Sequence, residues 1–138
     1  MKEIKHLFFT YRNGAVADSL RRYGIPHKII FGLDIPRLAE IARGLTPSIE
    51  LAEKLWADSD VRESRLLAAY LFPPEKTDMQ LALRLASEVR TREEADMLAF
   101  RLYKRLPYAS DLLARLEALA ADSPAYATSA AALRPHLS

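Results

Sequence analysis

The chain of 138 residues contains no cysteine. That excludes a disulfide framework, a thiol nucleophile and a cysteine-type zinc site. Histidine is scarce and scattered, at His6, His27 and His136 with no HxxxH pair, so a metalloenzyme is not expected and no metal site is assigned. Long apolar runs are missing too. The longest, Leu66 to Phe72, has seven residues, far short of a membrane span, and no membrane partner is expected. The start, MKEIKHLFFTYRNG, is broken by charges and a threonine and does not read as a signal peptide. A cytoplasmic location is the expectation.

Strand formers are few: three Val and seven Ile against 22 Ala and 22 Leu. All four glycines lie within the first 44 residues. Little is left from which to build a sheet, and the composition favours helix throughout. No GxxxxGK[ST], GxGxxG or GxSxG occurs, which removes support for nucleotide cofactors and for a serine hydrolase elbow. No cofactor is expected. Any chemistry must rest on carboxylates, aromatics and arginines.

The length suits one domain spanning 1–138. Net charge is only +2, yet residues 1–45 hold eight basic groups against four acidic ones, a local +4. Such a basic third suits an anionic partner such as nucleic acid, and it equally serves solubility.

Apolar spacing and punctuation predict about eight helices of ten to sixteen residues. Residues 2–22 form one long helix or two broken near Asn13-Gly14, and Tyr23-Gly24-Ile25-Pro26 ends it. Asp34 caps a helix with Pro36 in its first turn, and Thr46-Pro47 starts another. Asp60 with Glu63, Thr77 with Gln80 and Thr91 with Glu94 resemble capping boxes. Ala95, Leu98, Ala99, Leu102 and Leu106 form the stripe of a packed face. Two more helices cover 109–121 and 124–134. Either a bundle or a stack of helix pairs fits this pattern.

Three stretches in order then carry a resemblance. They are Arg22-Tyr23 followed by IIFGLDIPRLAEIAR at 29–43, LAEKLWADSDVRESRLLAAYLF at 51–72, and VRTREEADMLAFRL at 89–102. Together, with their spacing, they resemble the DNA alkylation repair family of HEAT-like-repeat alkylpurine DNA glycosylases. The resemblance implies an all-α superhelix of antiparallel helix pairs whose concave basic face holds duplex DNA. It implies excision of cationic 3- and 7-alkylpurines, with an aromatic cradle on the lesion and an aspartate stabilising the sugar cation. On that reading Tyr23 is the cradle tyrosine and Asp96 the catalytic carboxylate. Arg92 stands where the family has a cradle tryptophan, and a DNA-contacting arginine falls near Ser129. The resemblance places another cradle tryptophan in a repeat that this chain, ending at Ser138, is not expected to have.

Other residues are read on their own chemistry. Lys28, Arg62 and Arg65 are candidates to hold phosphates, although Arg62 and Arg65 could instead pair with Glu63 or Asp58 on the surface. Trp56 reads as core from its spacing with Leu51 and Leu55, and Arg101, Lys104 and Arg105 read as a solvated face. Arg92 and Asp96 stand i, i+4 and can pair. The alternative function is a non-catalytic α-solenoid scaffold that binds a protein partner, or a homo-oligomer that buries its concave face.

Overall fold

The computed structural model describes residues 1–137. Among them are nine α-helices and no strand. The fold class is all-α. The contacts divide the chain into two compact units, Met1–Leu71 and the remainder from Phe72.

The first unit holds α1 (Lys2–Thr10), α2 (Gly14–Arg22), α3 (Ile35–Arg43), α4 (Ile49–Ala57) and α5 (Arg62–Leu71). The 2–22 stretch is two helices because Asn13 caps α2, its side chain accepting from the Val16 N–H at 3.1 Å. Asp34 caps α3 as expected, accepting from the Arg37 N–H at 2.8 Å. The fourth helix begins later than Thr46-Pro47 suggests: Ser48 is its cap, and its hydroxyl accepts from the Leu51 N–H. Helix α5 packs against α4 and α3 and is buried along nearly its whole length, charged residues included. Trp56 is in the core, 2% exposed.

The second unit holds α6 (Met79–Ser87), α7 (Arg92–Arg101), α8 (Ala109–Leu119) and α9 (Pro124–Leu133), with short 3-10 turns at Pro74–Lys76, Tyr103–Arg105 and Arg134–His136. Asp78, not Thr77, caps α6; the Thr77 hydroxyl donates instead to the Pro73 carbonyl. Thr91 caps α7, and the predicted stripe of Ala95, Leu98, Ala99, Leu102 and Leu106 is buried. Helix α9 packs against α6, α7 and α8. Its sequence, PAYATSAAAL, is mostly small side chains, which lets three neighbours approach one rod closely.

Tyr103 closes this second core. Its ring is fully buried and its hydroxyl donates to the Ala82 carbonyl at 2.9 Å. Burial, assisted by the charges of Tyr108 and Glu88, pushes its ionisation well above the ordinary 10. The folded chain therefore keeps a proton that the unfolded chain releases above about pH 10, and stability must fall as pH rises beyond that point. A Tyr103→Phe protein is expected to lose about 1 kcal/mol near neutrality. It should also show a shallower alkaline decline in thermal unfolding midpoint than the parent. An unchanged alkaline slope would refute the assignment.

Candidate nucleic-acid site

In the first unit the chain leaves α2 through Tyr23 and Gly24. The Gly24 N–H donates to the Arg21 carbonyl and the Ile25 N–H to the Leu20 carbonyl, and Gly24 takes a φ of +90° that a side chain would resist. The Arg21 guanidinium then ties the following loop to the helix, donating to the carbonyls of His27 at 3.1 Å and Lys28 at 3.2 Å. This turn has one chemical result. Tyr23 is held outside the core, 86% exposed, and the Lys28 side chain is exposed as well.

The next loop is locked from the other side by Glu63. Its carboxylate accepts from the backbone N–H groups of Phe31 and Gly32, each at 3.0 Å. Arg62 donates to the same carboxylate at 2.7 Å and to the Leu33 carbonyl at 3.0 Å. Gly32 has a φ of +88°, and a Cβ there would meet the Asn13 carbonyl oxygen at 2.2 Å, so only glycine fits against the start of α2. An isolated parallel bridge between Ile29 and Val61 completes the clamp, with Ile29 N–H donating to Asp60 O and Arg62 N–H to Ile29 O.

This geometry corrects two sequence expectations. Glu63 does not close a capping box on Asp60; it turns inward, because the irregular 31–32 backbone has no sheet partner and its amides need an acceptor. Arg62 does pair with Glu63, but in the interior and not on the surface. Arg62 is 3% exposed and Arg65 7%. Arg65 donates to the Trp56 carbonyl at 2.7 Å and lays its guanidinium 3.9 Å over the Trp56 ring. Both arginines are occupied with holding α5 in place.

In the second unit Asp96 sits in the second turn of α7. Arg92 Nε donates to Asp96 Oδ1 at 2.7 Å, and both side chains are 56% exposed. The Arg92 guanidinium also reaches the Ala131 carbonyl on α9 at 3.4 Å. A shallow cavity of about 180 Å³ lies against Arg90 and Arg92 and is closed by Pro124, Ala125 and Thr128. Ser129 is buried, and its hydroxyl donates to the Ala86 carbonyl at 3.3 Å. The structure thus brings Arg92 and Asp96 together, and Tyr23 and Lys28 belong to the other unit. Among the described residues no three His, Asp or Glu side chains gather as metal ligands, and no helix is long and apolar enough to cross a membrane.

A family model described as DNA alkylation repair enzyme matches residues 4–134. The chain belongs to the DNA alkylation repair enzyme family. No curated protein and no solved structure matches it. Membership gives this chain a DNA repair role and DNA as the substrate its family implies.

Within this family member, the buried and exposed arginines should separate by stability. Removing Arg62 strands a buried carboxylate, so Arg62→Ala is expected to cost about 3 kcal/mol. Arg92→Ala removes an exposed i, i+4 pair and should cost less than about 1 kcal/mol. Urea unfolding of the two variants checks this. Equal, small losses would mean that Arg62 is not part of the lock.

Proposed function

We propose that this DNA alkylation repair family member binds duplex DNA and excises cationic 3- and 7-alkylpurines, with Asp96 as the carboxylate that stabilises the departing sugar. The observation that carries the reading is the family match over residues 4–134; the solvent-reachable Asp96, which the sequence resemblance assigns as the carboxylate, supports it. The exposed Tyr23 is the residue expected to touch the lesion. Lys28, on the same loop, holds a phosphate. Arg62 and Arg65 take no part in DNA contact, since their guanidinium groups serve the interior. An arc of antiparallel helix pairs, one continuous domain in function, is the architecture this reading requires.

The chemistry balances without a cofactor. Alkylation leaves a positive charge on the purine, so the base departs with the electron pair of its bond to C1′ and becomes neutral. The positive charge passes to the sugar as an oxocarbenium ion. Water adds at C1′ and sheds a proton. A carboxylate beside that developing cation is electrostatic catalysis, worth on the order of a hundred- to thousand-fold.

Arg92 works against this. A cationic base 4 Å from a guanidinium is repelled by about 4 kcal/mol at an effective dielectric of 20. An indole at that place would attract the same base by about 1–2 kcal/mol. The ion pair further offsets the field of Asp96. Excision by this chain is therefore slow, and recognition outweighs turnover.

Release of 3- or 7-methylpurine from methylated duplex DNA tests the reading. Asp96→Asn should lower it at least ten-fold, and Arg92→Trp should raise it, because attraction then replaces repulsion. An Asp96→Asn protein as active as the parent would reject the role of this carboxylate. The scaffold alternative separates by salt. Each phosphate contact implies a loss of DNA affinity of about three- to four-fold between 50 and 200 mM salt, whereas a groove for a protein segment is far less sensitive.

A further inference from the structure

Residues 97–110 contain Arg101, Lys104 and Arg105 and no carboxylate, and residues 123–137 contain Arg134 and His136 and again none. The second unit folds these segments together, because α7 packs on α9 and the Arg134–His136 turn continues from it. Phe100 stands at their junction, 42% exposed. Lys104 Nζ lies 3.8 Å from its ring centroid and the Arg101 guanidinium 4.8 Å. The His136 ring is tilted against it at 5.9 Å. Arg134 is answered by Glu117, and Asp96 by Arg92. Lys104 and Arg105 bring positive charge to this corner, beside a large ring that packing has not hidden.

Position along the helix matters as much as charge. Phe100 follows Asp96 by four residues and Arg92 by eight, so all three lie along one face of α7. An aromatic side chain thus stands one turn beyond the candidate carboxylate, while the position one turn before it is occupied by a guanidinium. Cationic stems beside an exposed ring are the combination that grips nucleic acid: the ring meets a sugar or base, and the cations meet the flanking phosphates.

We infer that the Phe100 corner is a DNA contact of this chain, with the ring against the sugar and base beside the lesion and Lys104 and Arg105 on the adjoining phosphates. The inference rests on the DNA-binding reading above and adds residues that the motif positions do not include. The ring lies on the surface, so its removal leaves the helix core of Ala95, Leu98 and Leu102 intact.

The test is fluorescence anisotropy of the full chain with a methylated and an unmethylated duplex of about 25 base pairs, across 50–200 mM salt. Phe100→Ala should weaken binding about ten-fold without changing the salt slope, and Phe100→Tyr should restore it. Lys104→Ala should weaken binding of both duplexes and lower the slope by about one. Thermal midpoints should match the parent. If the parent binds and both alanine variants bind equally well, this corner is not a contact and the DNA reading stands. If the parent binds neither duplex, the DNA reading falls and the inference with it. If Phe100→Ala changes only self-association in light scattering, the corner is a protein surface and the inference is overturned.

Discussion

The first unit depends on one buried carboxylate. Glu63 is fully enclosed, and its two oxygens take the N–H groups of Phe31 and Gly32 together with the Arg62 guanidinium. A buried ion is tolerated only where its lone pairs are satisfied, and here backbone amides and a charged partner supply that. The consequence reaches past the charge itself. An irregular segment with no ladder of its own becomes a fixed wall between the start of α2 and the start of α5. The loop that follows Tyr23 runs directly into that wall, so an exposed aromatic is mounted on a rigid support instead of on a mobile tip.

The second unit uses one helix twice. The inward stripe of α7 packs against α9, while Arg92, Asp96 and Phe100 look outward. The same 3.6-residue period that fills the core spaces the outward groups one turn apart. Chemistry-bearing residues on a packed helix cost little extra order, because the backbone is already fixed. In this family member the turn before Asp96 offers positive charge and the turn after it offers a ring. Charge therefore flanks the carboxylate on one side, and an apolar surface remains on the other.

Much of the fold was legible in the residues. The caps at Asp34 and Thr91, the proline in the first turn of α3 and the apolar stripe of α7 are local features, set within one or two helical turns, and local sterics and hydrogen bonds decide them. The core placement of Trp56 followed from the same spacing. The boxes at Asp60 and Thr77 misled, because a carboxylate or hydroxyl near a helix start has several possible partners. At Thr77 the neighbouring Asp78 took the cap, and at Glu63 two amides some thirty residues away outcompeted the cap entirely.

The sequence alone determined that this chain is all helix, where most helices begin, and that it resembles the alkylation repair family; each rests on short-range pattern or on motif spacing. Only tertiary structure decided the fate of the charges. Arg62, Arg65, Arg92 and Lys104 are alike in composition, yet two are interior struts, one is tied to a carboxylate and one rests on an aromatic ring at the surface. Charge is read from the residue, whereas its availability is set by burial and by partners distant in sequence, and those exist only once the helices have packed.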